Sequence, residues 1–387
     1  MENNIIAKGV KYIGVDDLDL DLFEGQYAIP QGVSYNSYLI DDEKITIMDT
    51  VDERKTEEWL QRLETELAGR KPTYLVVSHL EPDHASNVKR IMDMFPECVA
   101  LCSAKAVPML ARFFGTSFSD RVRVVKEGDT VSTGEHTLQF FMAPMVHWPE
   151  VMVTYEHSQK ILFSADGFGT FGAVGAHEEW ACEARRYYFN ICGKYGASVQ
   201  ALLKKAAGLD IQIICPLHGP VLSENLGYYI DKYNTWSKYE VESKGVFIAY
   251  CSLHGNTETA ALKLAETLQN EHGEKVVVAD LRRCDMSEAI EDAFRYDRLV
   301  LAAPTYDAGV MPVMEDFINH LKAKAYQNRK VGFIENGSWA PVAGKKMREA
   351  MEAMKNMTIV EPLVTVESAV KEKTLEDLKT LAAALIG

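Results

Sequence analysis

The sequence predicts an α/β fold in two domains, the second a doubly wound sheet of five parallel strands. Short apolar runs alternate with helix-length amphipathic segments along the chain, and this alternation restarts after Lys244-Gly245 with the buried run Val246–Cys251. Domains at 1–244 and 245–387 follow from that restart. With 387 residues, 47% hydrophobic and 25% charged, the chain is long enough for two sizeable cores.

In the first domain, Tyr35–Ile40 and Lys44–Met48 read as a hairpin, Glu53–Ala68 as a helix and Tyr74–Ser78 as a strand. Later strands are expected to repeat this with helices between them. In the second domain, Val246–Cys251 leads through a polar loop into the helix Glu258–Gln269. Val276–Asp280, Arg298–Ala303, Lys330–Glu335 and Thr358–Val366 add four strands separated by helical segments. Such a sheet binds ligands at the carboxyl ends of its strands.

The run His79-Leu-Glu81-Pro-Asp83-His84 places four metal-ligand candidates in six residues directly after the strand Tyr74–Ser78. Alternate side chains in a sharp loop can converge on a cleft without disturbing the sheet. Imidazoles suit zinc or iron, whereas carboxylates favour iron, manganese or magnesium, so the mixture favours iron. Three further residues take the same position after apolar runs: His147 after Leu138–Ala143, Asp166 after Lys160–Ala165 and His218 after Ile211–Cys215. Asp166, uncrowded between Ala165 and Gly167, could bridge two ions through its two oxygens. Turn or helix-face roles suffice for the other histidines: His136, His157 and His272 read as exposed turns, His177 as a helix start and His320 as a helix-face residue.

The loop Ser252-Leu253-His254-Gly255-Asn256-Thr257 follows the first strand of the second domain and opens a helix. Hydroxyls, a glycine and helix-terminal amides suit a phosphate, and the absence of GxGxxG and GxxxxGK[ST] argues against a dinucleotide fingerprint and a P-loop. Two later strand ends add Pro304, Thr305, Tyr306 and Asp307, and then Asn336, Gly337, Ser338 and Trp339. Tyr306 and Trp339 offer flat faces for an isoalloxazine ring. A monophosphate loop with two aromatic-bearing loops favours FMN.

A net charge of −15 argues against nucleic acid and acidic membranes as partners. The amino terminus lacks a leader pattern and no apolar stretch approaches the ~20 residues of a membrane span. Seven scattered cysteines without a CxxC pair suggest reduced thiols, a cytoplasmic location, and no built-in rubredoxin-type iron site.

With HxExDH, HWP, Ser164-Ala-Asp-Gly, PxHGP and the three flavin loops in this order, the chain resembles the flavodiiron proteins over nearly its full length. The resemblance implies a metallo-β-lactamase-like αββα sandwich followed by a flavodoxin-like domain. It also implies a non-haem diiron site with His79, Glu81 and His147 on one iron, Asp83 and His218 on the other, and Asp166 bridging. His84 is carried as a seventh candidate ligand. Hydrolases of the metallo-β-lactamase superfamily carry His where this chain has Glu81, and an anionic ligand there suits redox-active iron better than a zinc-bound hydroxide. The third flavin loop departs from the family's Ser-Tyr-Gly-Trp type. The implied activity is reduction of dioxygen to water, of nitric oxide to nitrous oxide, or of both, with electrons relayed through FMN from rubredoxin or a similar donor. A head-to-tail homodimer, or a dimer of dimers, is implied as well. The rival expectations are a dizinc hydrolase with a flavodoxin appendage and an FMN electron carrier without diiron catalysis.

Overall fold

A computed structural model describes residues 4–176 and 179–387. It divides into two compact units, Met1–Asn234 and Thr235–Gly387. His177 lies outside the described residues.

The first unit is built on two sheets. One has seven strands: β1 (Ile5–Ala7), β2 (Val10–Tyr12), β3 (Tyr38–Ile40), β4 (Thr46–Met48), β5 (Tyr74–Val77), β6 (Val99–Ser103) and β7 (Val122–Val125), hydrogen-bonded in that order. The other contains β8 (Thr130–Ser132), β9 (Thr137–Met142), β10 (Met152–Glu156), β11 (Ile161–Phe163) and β12 (Ile213–Cys215). Their inner faces meet in one core, where Tyr38, Met48, Val76 and Leu101 pack with Leu138, Phe140, Met152 and Phe163. Alternate residues of the first sheet, including Leu39, Ile47, Leu75 and Val77, point the other way into a second core with helix α1 (Thr56–Leu67). That helix buries Trp59, Leu60, Leu63 and Leu67 at helical spacing and stops at Ala68, which adopts a left-handed conformation before Gly69.

The expected hairpin is the antiparallel pair β3 and β4. The expectation of helices between the later strands of this unit holds from β5 to β7 and between β11 and β12, and is corrected from β8 to β11, which form an antiparallel meander. Ser132 to Thr137 and Glu156 to Ile161 leave only four residues between paired strands, too short for a crossover helix. His136, expected in an exposed turn, is instead 3% exposed, with Nδ1 3.0 Å from Glu156 Oε1. Asp42 accepts its backbone N–H and pulls this turn inward.

In the second unit the strands β13 (Ser243–Tyr250), β14 (Val276–Asp280), β15 (Tyr296–Tyr306), β16 (Lys330–Asn336), β17 (Thr358–Ile359) and β18 (Val364–Val366) form a parallel sheet. The order is β14-β13-β15-β16, with β17 and β18 both on the outer edge of β16. The run Thr358–Val366, expected as one strand, is therefore two pieces of one edge position. Pro362 between them has no N–H for the ladder. Among the described residues no helix is long and apolar enough to cross a membrane.

Candidate metal centre and flavin pocket

In the second sheet of the first unit, β9 is antiparallel to β10, β10 is antiparallel to β11, and β11 is parallel to β12. Hence β9, β11 and β12 run the same way, and their carboxyl ends deliver His147, Asp166 and His218 to one edge. The end of β5 delivers His79, Glu81, Asp83 and His84 to the same place. Asp83 and His84 lie in a single helical turn, Pro82–Ala85, which makes these neighbours point into one cleft.

The seven side chains form two sets. In the first, Nε2 of His79 lies 3.2 Å from Glu81 Oε2, 3.3 Å from His147 Nε2 and 3.3 Å from Asp166 Oδ2. His147 Nε2 lies 3.0 Å from the same Glu81 oxygen and 3.1 Å from the same Asp166 oxygen. In the second, Nε2 of His84 is 3.4 Å from Asp83 Oδ2 and 3.2 Å from Asp166 Oδ1, and Nε2 of His218 is 3.2 Å from Asp83 Oδ2. Metal–ligand bonds of roughly 2.1 Å separate adjacent donors by about 3.0 Å in octahedral and about 3.4 Å in tetrahedral geometry. These separations fall in that interval, while Nε2 of His218 stands farther from Asp166 Oδ1, at 3.9 Å. Each set could hold one ion, and Asp166 turns one oxygen to each.

Burial sharpens the case for cations. His79, Asp166 and His218 are fully buried, and both oxygens of Asp83 and Asp166, both nitrogens of His84 and Nε2 of His218 have no hydrogen-bond partner. Leaving so many buried polar atoms unsatisfied is costly unless a cation takes their lone pairs. These residues therefore fit a pair of metal ions. In the metal-free protein, burial disfavours a charged Asp166, but the histidines around it hold its carboxyl well below the usual range. Burial likewise opposes the imidazolium of His147, yet Asp166 and Glu81 raise it to about 9.

Several supporting residues carry no signal in the sequence. Glu150 Oε1 lies 2.8 Å from Nδ1 of His79 and accepts the N–H of Leu80 at 2.9 Å, so it fixes both the ring and the turn that carries it. The Ser34 carbonyl does the same for His218, 2.7 Å from its Nδ1. The Asn36 amide donates to the carbonyls of Pro216 and Gly219 at 2.8 Å each, on either side of His218. Asp49, fully buried, accepts the N–H of Ser78 at 2.7 Å. Burial raises its carboxyl to about 6 against the hydrogen bond from the Ser78 N–H. A cavity of about 290 Å³, lined by Leu20, Phe23, Glu24 and Tyr35 among others, opens onto Glu81 and Asp83.

In the second unit, a cavity of about 550 Å³ lies at the carboxyl edge of the sheet, within the usual range for a bound cofactor. Ser252, Leu253, His254, Asn256, Thr257, Pro304, Thr305, Asp307, Asn336, Gly337, Ser338 and Trp339 line it. Gly255 and Tyr306 do not line it, although Gly255 shapes the loop: at φ +87° it caps the helix α2 (Asn256–His272), and its N–H donates to Ser252 Oγ at 3.0 Å. Tyr306 pairs with Gly309 at the tip of β15 and is 43% exposed. Ala308, Ala340 and Ser368 join the lining without having been expected. Ser368 Oγ reaches Ser338 Oγ at 2.8 Å, tying the last strand's loop to the loop after β16.

The comparisons with known proteins agree with this geometry. The ODP family beta lactamase model matches residues 33–219, and a flavodoxin domain model matches residues 247–365. A nitric oxide reductase of Moorella thermoacetica is 30% identical over 373 residues, covering 94% of this chain and 92% of that protein. The structure of rubredoxin oxygen:oxidoreductase from Desulfovibrio gigas superposes with a TM-score of 0.91 at 27% identity, covering 98% of this chain and 97% of that one. The flavodiiron protein from Giardia intestinalis superposes at 0.90 with 25% identity, covering 100% and 97%. A sandwich whose loops gather two sets of candidate metal ligands, continuous in the chain with a flavodoxin-type sheet and matched end to end by these relatives, means that the chain belongs to the flavodiiron proteins.

Proposed function

We propose that this protein is a cytoplasmic oxidoreductase that reduces dioxygen to water, nitric oxide to nitrous oxide, or both, at a non-haem diiron centre fed by FMN. The observation that carries this reading is the donor set: Glu81 Oε2 lies 3.2 Å from His79 and 3.0 Å from His147, both of which also meet Asp166 at 3.1–3.3 Å, where a zinc hydrolase would place a third imidazole. Anionic oxygen donors favour iron and stabilise its oxidised form. The assignment is His79, Glu81 and His147 to one iron, Asp83 and His218 to the other, and Asp166 to both. Nε2 of His84, 3.2 Å from Asp166 Oδ1, supports His84 as a further ligand of the second iron.

When bound, two ferrous ions and a reduced flavin supply the four electrons that dioxygen requires. The chain's own part is to hold the donors in register, to keep Glu81 and Asp83 open to the cavity beside Leu20 and Phe23, and to bind FMN through the loops at Ser252, Pro304 and Asn336. Cys98, Cys102, Cys192, Cys215, Cys251 and Cys284 form no disulfide, in keeping with a reducing compartment. A rubredoxin-type donor fits the name of the Desulfovibrio relative. A head-to-tail homodimer, or a dimer of two such dimers, supports electron transfer by setting the flavin of one subunit against the irons of the other. Exposed Trp339 and Leu253 at the flavin loops suit such a contact.

Anaerobic purification with metal and flavin quantitation, followed by parallel turnover of both gases with reduced rubredoxin, tests the proposal. Two irons and one FMN per chain are expected; two zinc ions with flavin-independent hydrolysis would replace it by the hydrolase. Glu81→Gln is expected to lower iron occupancy and turnover while FMN stays bound. Sedimentation at decreasing concentration should show turnover falling with the dimer population, and a fully active monomer would remove the dimer from the proposal.

A further inference from the structure

A file of aromatic side chains in the first unit leads from the Asp166 turn to the surface, apart from the metal donors and their supports. Phe168 lies two residues past Asp166, and both polar atoms of its backbone are held by aromatic side chains. Its N–H donates to the Tyr233 hydroxyl at 2.6 Å, and its carbonyl accepts from the Trp180 indole at 3.3 Å. The rings of Phe168 and Tyr233 are 4.3 Å apart, Tyr233 and Trp180 6.3 Å, Trp180 and Tyr229 4.7 Å, and Tyr229 and Tyr228 5.4 Å. Exposure rises along the file, from 2% at Tyr233 to 40% at Tyr228. Core packing accounts for the buried end. It does not account for a continuous run of the two most readily oxidised ring types reaching water.

We infer that Tyr233, Trp180, Tyr229 and Tyr228 form an electron relay that completes dioxygen reduction when flavin-derived electrons run short. The relay rests on the proposed function in its dioxygen branch. A turnover begun with only the two metal electrons lacks two more, and the relay delivers them one at a time. Trp180 gives up an electron toward the centre across Tyr233, whose ring bridges the step without being oxidised, and keeps its indole proton on the hydrogen bond to Phe168. Tyr229 refills Trp180 and loses its phenolic proton to water. A small thiol then reduces the tyrosyl radical at the surface, restoring the O–H. Two such events join two thiols as one disulfide and release two protons and two electrons. With the two metal electrons and two further protons from solvent, one dioxygen becomes two waters.

The test uses the holoprotein given only enough reductant to reduce its metals, mixed with dioxygen and freeze-quenched for electron paramagnetic resonance. Oxidised rings are then mapped by peptide mass spectrometry. An organic radical is expected, narrowed when ring-deuterated tyrosine is incorporated, with oxidation concentrated at Tyr228 and Tyr229. Trp180→Phe, with iron content and circular dichroism unchanged, should lose both the tyrosyl signal and the modification; Tyr155→Phe, off the file, should lose neither. If Trp180→Phe does not fold, the surface pair Tyr228→Phe with Tyr229→Phe should replace the tyrosyl signal by a tryptophan signal. Dioxygen uptake by iron-loaded protein without any organic radical overturns the relay alone, as does an undiminished tyrosyl signal in either variant. A preparation that binds no iron or consumes no dioxygen overturns the proposed function and the relay with it.

Discussion

At His79 the outer nitrogen matters as much as the inner one. Nε2 faces the metal donors, while Nδ1 meets Glu150 at 2.8 Å, which sets the tautomer and the ring's rotation. Glu150→Ala is therefore expected to weaken metal binding by about 10- to 100-fold, the range seen for outer partners of ligating histidines. A metal titration would measure this, and Glu150→Gln, which keeps an acceptor oxygen, should recover much of the loss. The proposed ligands were legible because four candidate donors crowd into His79–His84 and three others repeat the same position after a strand. Glu150 was not legible, since a glutamate after Pro149 resembles any surface acid until the fold turns it 2% exposed toward His79. His136 shows the opposite error: a turn sequence of Thr, Gly and Glu reads as solvated, yet Asp42, distant in sequence, draws it into the interior.

Among the elements, the strand-to-helix turn at Ser252–Thr257 shows how local sequence fixes a binding feature. Gly255 takes a positive φ with open space around it, so the turn needs glycine for its backbone rather than for room. The amides that open α2 are then available to the phosphate of the proposed FMN. Thr257→Val keeps the shape of a 2% exposed side chain but removes its hydroxyl. Loss of a hydrogen bond to a charged phosphate is worth about 1.5–3 kcal/mol, so FMN should bind roughly 10- to 100-fold more weakly, as read by flavin fluorescence titration. The parallel strands of this unit were readable because each is a short apolar run bounded by helical segments. The meander β8 to β11 was not, because its intermediate and buried residues give no strict alternation to separate hairpins from crossovers.

Across the whole molecule, metal and proton compete for the same buried cluster. In the metal-free protein His147 stays protonated up to about 9, against an ordinary value near 6.5, because Asp166 and Glu81 outweigh its burial. Its folded-state value is raised, so the stability it contributes is fully present below about pH 6.5 and is lost as pH rises through about 9. A bound metal replaces that proton and removes the dependence. The gap in melting temperature between metal-loaded and metal-free protein should therefore widen from about pH 6.5 to 9, measured by calorimetry in parallel buffers. A constant gap would mean that His147 is not paired with these carboxylates in the metal-free state.

By itself the sequence determined the α/β class and marked the restart of the pattern near Val246, the seven candidate donors and the candidate phosphate loop, because each is written in the local pattern of a strand and the loop that follows it. Only the tertiary structure decided that His79, His147 and Asp166 share one set while Asp83, His84 and His218 share another, with each oxygen of Asp166 committed to a different side. That division depends on the direction of β9, β11 and β12 and on a cleft closed by Asn36, Asp49 and Glu150. Long-range pairing brings those groups together, and no window of sequence contains it.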